Sequence, residues 1–116
     1  MPAPARRAAR AEAALPSIAN LNRGAFRAYR QQNFGGARHL LRAALAACSA
    51  ARLDLHPQAA LAHARLAAVL VLGFRQQELG VEHFRQALRI DRHVSVASLI
   101  DDEVVRTAFR RAAGSP

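Results

Sequence analysis

The chain has 116 residues, which is enough for one domain with a modest core. Hydrophobic residues make up 52% of it, many of them alanine, and this composition favours an all-α fold. Its 17 basic residues, all arginine, outweigh 8 acidic ones and give a net charge of +9. A GC-rich genome of bacterial type would explain the alanine and the missing lysine, so only the distribution of the charge bears on function.

Residues 1–16 predict a flexible leader rich in alanine, proline and arginine. Arginines interrupt it, so it lacks the apolar core of a signal peptide. Ser17 suits the N-cap of a first helix, in which apolar residues recur at helical spacing as far as about Gln32. We expect a single folded domain over residues 17–113.

Two further helices follow the first. Asn33–Gly36 predicts a turn, and the apolar positions from Ala37 to Ala51 mark the inner face of a second helix. Pro57 suits the first turn of a third helix, which ends at about Phe74 and is apolar nearly all round. Such a helix is buried on several sides, so we expect it to be central. Its apolar stretch is short for a bilayer, and we expect no membrane span.

The C-terminal part of the chain predicts two more helices. One extends from about Leu79 to Asp91, and the stretch 92–100 is expected to be irregular. Three acidic residues, at positions 101–103, then open a short last helix. Their charge suits the positive end of the helix dipole, and we prefer that capping role to a metal site.

Two segments, Ala28–Leu45 and Gly80–Asp91, share a pattern. Each has a small residue near the start of a helix, a large apolar residue four positions later, and Ala-Leu at seven and eight. The matching residues are Ala37, Leu41, Ala44 and Leu45, and Gly80, Phe84, Ala87 and Leu88. The pattern resembles the turn and second helix of a tetratricopeptide repeat, although the two copies lie further apart than the standard repeat of about 34 residues. The resemblance implies about five helices in antiparallel hairpins, stacked with a right-handed twist and closed by a C-terminal capping helix.

No motif for catalysis or for a cofactor is found. The five histidines show no zinc-like spacing with Cys48 or with one another, and no Gly-rich phosphate loop is present. We therefore expect no enzyme activity, no cofactor and no metal. Cys48 is the single cysteine and has alanine neighbours, so we expect a buried thiol, no intramolecular disulfide and a reducing, cytoplasmic compartment.

Arginines form a stripe along the first helix. Arg23, Arg27 and Arg30 follow the i, i+4, i+7 spacing, which places them on one side, opposite the apolar residues. No acidic residue occurs from position 17 to position 53. Ordinary solvated helices mix charges of both signs. The stripe is either such a solvated face or a functional basic surface.

The family resemblance also implies a concave groove lined by the first helix of each hairpin. By that analogy, the groove residues are Asn22, Phe26, Tyr29 and Arg30 from the first helix and Arg65, Val69 and Leu72 from the third. Phe26 and Tyr29 could instead be core residues. Arg65 interrupts an apolar helix, so it either marks the exposed groove side or pairs with Asp54, Glu78 or Glu82.

These features favour a protein-interaction adaptor that receives an acidic segment or a helix of a partner in a basic groove. The alternative is a nucleic-acid binder whose arginines contact phosphates. A secretion-type chaperone that holds an unfolded segment of its partner is a weaker alternative. Burial of the third helix by a second copy of the chain is a further alternative, in which the protein is a homo-oligomer.

Overall fold

The computed structural model describes residues 3–114, which form an all-α fold with a short C-terminal helix. The five helices are α1 (Ala3–Arg30), α2 (Phe34–Ala50), α3 (Pro57–Phe74), α4 (Gln77–Ile90) and α5 (Glu103–Ala113). Helix α3 packs against all four of the others, as expected from its apolar surface. Its predicted bounds are confirmed, and ten of its residues are buried.

The predicted start of the first helix at Ser17 is wrong. Helix α1 begins at Ala3 and continues through Pro16, so the described part of the leader is helical; the first two residues of the leader lie outside the described range. Alanine-rich sequence favours continuing a helix, and this tendency outweighs the break that proline favours. Residues 5–10 are exposed, whereas Ala14 packs on a small core cluster around Ile18.

The turn between α1 and α2 comprises residues 31–33 and not the predicted 33–36, because α1 ends at Arg30 and α2 begins at Phe34. Asn33 is the N-cap, and its side chain accepts a hydrogen bond from the backbone N–H of Gly36 at 3.0 Å. A Cβ at position 36 would lie 2.6 Å from the Asn33 side chain, so glycine there permits the cap. The preceding residue, Gln32, takes up the left-handed conformation (φ 61°) that reverses the chain.

Helices α3 and α4 form a tight hairpin, in which Gly80 and Phe84 have complementary roles. A Cβ at position 80 would lie 2.3 Å from a methyl carbon of Val71, so the missing side chain lets α4 approach α3. The Phe84 ring is fully buried and meets the ring of Phe109 edge-on, with centroids 5.4 Å apart. The small and large positions read from the repeat-like pattern are therefore both packing positions.

The segment 91–102 is irregular, as predicted, and it leads into α5. Asp102 is the N-cap of α5, and its carboxylate accepts hydrogen bonds from the backbone N–H groups of Val104 (2.8 Å) and Val105 (3.3 Å). This is the capping role expected for the acidic residues at the start of the last helix.

By length and mean hydropathy (1.3), α3 is the one described helix that could cross a membrane. Some 56% of that stretch is buried inside the protein. A core helix packed on several sides has the same composition, so its position in the fold accounts for the apolar sequence.

Candidate functional site

The three arginines of the stripe, Arg23, Arg27 and Arg30, are exposed, on the side of α1 opposite the buried Ile18 and Ala25. Arg27 and Arg30 also lie in the last turn of α1, where a cation is favoured by the helix dipole. Among residues 3–114, the side-chain ion pairs are Arg85–Glu82 and Arg111–Glu78, which involve neither α1 nor α2. No arginine of the first two helices therefore forms an ion pair within the described chain.

Two guanidinium groups lie over the ring of Phe26. The guanidinium carbon of Arg65 is 4.8 Å from the ring centroid, and that of Arg30 is 5.9 Å from it. Phe26, Arg30 and Arg65 are called the Phe26 cluster below. The Phe26 ring is half-buried and stacks at 6.3 Å on the ring of Tyr29. The cluster thus joins α1 to α3 at the surface.

Tyr29 itself is directed towards the rest of the core. Its ring contacts Phe34 edge-on, with centroids 6.0 Å apart. Burial raises the pKa of Tyr29, and the nearby carboxylates of Asp102 and Asp101 raise it further, which places the phenol near the start of α5. Phe26 and Tyr29 therefore belong partly to the core and partly to the surface, between the two alternatives left open by the sequence.

Arg65 forms an ion pair with none of Asp54, Glu78 and Glu82. Its Nη1 donates a hydrogen bond to the backbone carbonyl of Asn22 at 2.7 Å, across the interface between α1 and α3. Burial lowers the pKa of Arg65, and the ring of Phe26 supplies the second favourable contact for the charge. Arg65 is thus a half-buried residue fixed in place, rather than an exposed groove residue.

Asn22 and Val69 contradict the predicted groove, because both are buried, at 1% and 0% exposure. The Nδ2 of Asn22 donates to the backbone carbonyl of Gln58 (3.1 Å) and to its side-chain oxygen (2.8 Å). Helices α1 and α3 pack directly on each other, so residues at these positions form their interface and are closed to a partner. Leu72 is half-buried. The accessible part of the predicted site is the Phe26 cluster with the arginine stripe.

A second feature, missed at the sequence level, is an open cavity of about 570 Å³ between α2, α3 and α4. Leu45, Cys48, Ala59 and Ile90 supply apolar lining. Cys48 is buried, as predicted, and burial raises the pKa of its thiol, with a further contribution from Asp54. One histidine, His63 on the apolar α3, also lines this cavity, and zinc-like spacing gives no signal for it.

His63 forms a hydrogen-bonded pair with His83 of α4, with their Nδ1 atoms 3.0 Å apart. The ring centroids are 5.2 Å apart and the planes differ by 27°, so the rings are nearly parallel. In the hydrogen bond one Nδ1 donates and the other accepts. Burial, and then the charge of His83, lower the pKa of His63 to about 4, against a smaller opposing effect of Asp54. Burial also lowers the pKa of His83, where Glu82 opposes the shift and Arg42 adds to it.

Within residues 3–114, no group of three or more histidine, cysteine or acidic side chains is placed to hold a metal ion. Comparison with known proteins finds no matching family model, no similar curated protein and no similar solved structure. The resemblance to tetratricopeptide repeats therefore stays a prediction from the two sequence segments.

Proposed function

We propose that the protein is an interaction adaptor that binds an acidic segment of a partner protein at the Phe26 cluster. The observation that carries the proposal is the pair of guanidinium groups, Arg30 and Arg65, over one aromatic ring, with no carboxylate of the described chain paired to either. Two unneutralised cations at one place attract an anion. The planar guanidinium fork favours a carboxylate, to which it donates two parallel hydrogen bonds.

The packing of α1 on α3 defines how such a segment would bind. Because Asn22 and Val69 are buried in that interface, there is no deep groove at their level, and the partner would lie on the surface. Arg65 is held by the carbonyl of Asn22, so its guanidinium is already positioned, and little side-chain entropy is lost on binding. Arg23 and Arg27 continue the basic surface along α1.

A peptide assay with matched variants tests the proposal. The probe is a fluorescent peptide of alternating glutamate and leucine, titrated with the wild-type protein, with Arg30→Gln and with Arg42→Gln. Arg42 is an exposed arginine of α2 outside the Phe26 cluster, so both variants lose one positive charge. We expect Arg30→Gln to weaken binding about tenfold or more, as for a charge-assisted contact, and Arg42→Gln to change it much less.

Equal weakening by the two variants would contradict a localised site and indicate a response to net charge alone. A peptide that fails to bind the wild-type protein would overturn the proposal. Circular dichroism of each variant confirms that the helices persist, which is expected because both substituted residues are exposed.

A second candidate function is the binding of a nucleic acid or another polyanion. The observation that favours it is the length of α1, 28 residues, with Arg6, Arg7 and Arg10 exposed near one end and the stripe near the other. A duplex DNA probe in the same assay separates the two functions. Binding through phosphates weakens steeply as the salt concentration rises. The affinity for DNA would also fall equally in Arg30→Gln and Arg42→Gln.

A further inference from the structure

The loop between α2 and α3 carries the most exposed large hydrophobic side chain of the described chain. Leu55 is 81% exposed and lies at the rim of the 570 Å³ cavity. The loop is fixed by hydrogen bonds from the N–H of Leu53 to the carbonyl of Cys48 (2.7 Å) and from the N–H of His56 to the carbonyl of Leu53 (3.0 Å). An apolar knob on an ordered loop therefore lies beside an apolar cavity.

Two opposite charges line the same cavity. Asp54 comes from the loop and Arg89 from α4, and neither forms an ion pair within residues 3–114. They are not close enough to pair with each other. The face thus combines a knob, a hole, an unpaired acid and an unpaired base.

We propose that this face is an interface between two copies of the chain, related by a two-fold axis. Leu55 of each copy enters the cavity of the other, and Asp54 of each copy pairs with Arg89 of the other. A two-fold interface requires a surface that is complementary to itself, and the knob and the hole, like the acid and the base, lie on one face.

The charge distribution supports a second copy as the occupant. The net charge of +9 opposes self-association, but none of the α1 arginines lines the cavity. The charges of Asp54 and Arg89 cancel, so two positive molecules would meet at a cavity whose acidic and basic side chains balance each other. No residue of the Phe26 cluster lines the cavity, so the basic surface stays free in the dimer.

Sedimentation of the purified chain over a range of concentrations tests the interface. We expect the wild-type protein to have about twice the mass of one chain and Leu55→Asp to be monomeric. The matched control is Val104→Asp, because Val104 is the next most exposed large hydrophobic residue, at 51%, and lies at the start of α5. That variant should remain a dimer.

A charge swap tests the pairing. Asp54→Arg and Arg89→Asp should each raise the dimer dissociation constant at least tenfold, and the double variant should restore association. All the substituted side chains are exposed, so helicity should be unchanged.

A wild-type protein that is monomeric throughout, or a dimer that survives Leu55→Asp, would overturn the interface. Failure of the double variant to recover would overturn the pairing of Asp54 with Arg89. A monomer that binds a hydrophobic dye in this cavity would assign the cavity to a small ligand instead, since its volume lies in the range of about 300–1,000 Å³ found for ligand sites.

Discussion

Asn22 and Arg65 show how far single residues can be predicted from this sequence. Asn22 follows Ile18 by one helical turn, so the spacing that predicts burial of Ile18 also places Asn22 on the buried side; that signal was available. The need of Arg65 for a partner was also predictable. The partner itself was not, because it is a backbone carbonyl, a group that every residue carries.

The histidine pair predicts a loss of stability on acidification. The pKa of His63 is about 4 in the folded protein and 6.5 when unperturbed, so the unfolded chain binds more protons between these values. Its contribution to stability is complete above about pH 6.5 and is lost as the pH falls through about 4. The melting temperature, followed by circular dichroism across this range, should fall with decreasing pH.

His63→Gln should have a flatter pH dependence than the wild-type protein. His39→Gln is the control, since His39 is exposed on α2, and it should follow the wild-type curve. Parallel curves for all three proteins would show that the pair does not determine the acid response.

At the level of helices, prediction succeeded where local signals agreed. The bounds of α3 follow from Pro57 at its first turn and from its continuous apolar sequence, and the irregular segment before α5 was recognised. Prediction failed at Pro16, where two local tendencies compete. The prediction of an open groove failed for another reason. How closely α1 and α3 approach each other depends on how their side chains pack, and the apolar pattern of one helix does not contain that information.

Pro16 gives a direct test of the course of α1. Proline in a helix interior removes a hydrogen bond and crowds the carbonyl four residues earlier, here that of Glu12, at a cost of about 3 kcal/mol. Pro16→Ala should therefore raise the free energy of unfolding, measured by urea denaturation, by up to that amount. Pro57→Ala, in the first turn of α3, should give no such gain. If neither substitution stabilises the protein, α1 does not continue through position 16.

The whole molecule carries its charge unevenly, because the segment 17–53 contains six arginines and no acidic residue. Repulsion among them opposes the compact state, and added salt screens it, with a Debye length of about 10 Å at 0.1 M. We expect the melting temperature to rise with sodium chloride concentration. A double variant, Arg23→Gln with Arg42→Gln, should show a smaller rise. A melting temperature that falls with salt would indicate that favourable charge pairs dominate.

The central position of α3 also affects how the chain is made. When the growing chain has emerged from the ribosome as far as Phe74, α1, α2 and α3 are outside the exit tunnel, but α4 and α5 are not. The side of α3 that α4 will cover, including Val71, is then still in water. Domains fold as they emerge, and exposed apolar surface at that moment favours aggregation. We expect nascent chains arrested with α3 outside the ribosome and α4 still inside it to be bound by ribosome-associated chaperones, and chains long enough for α4 to emerge to be released.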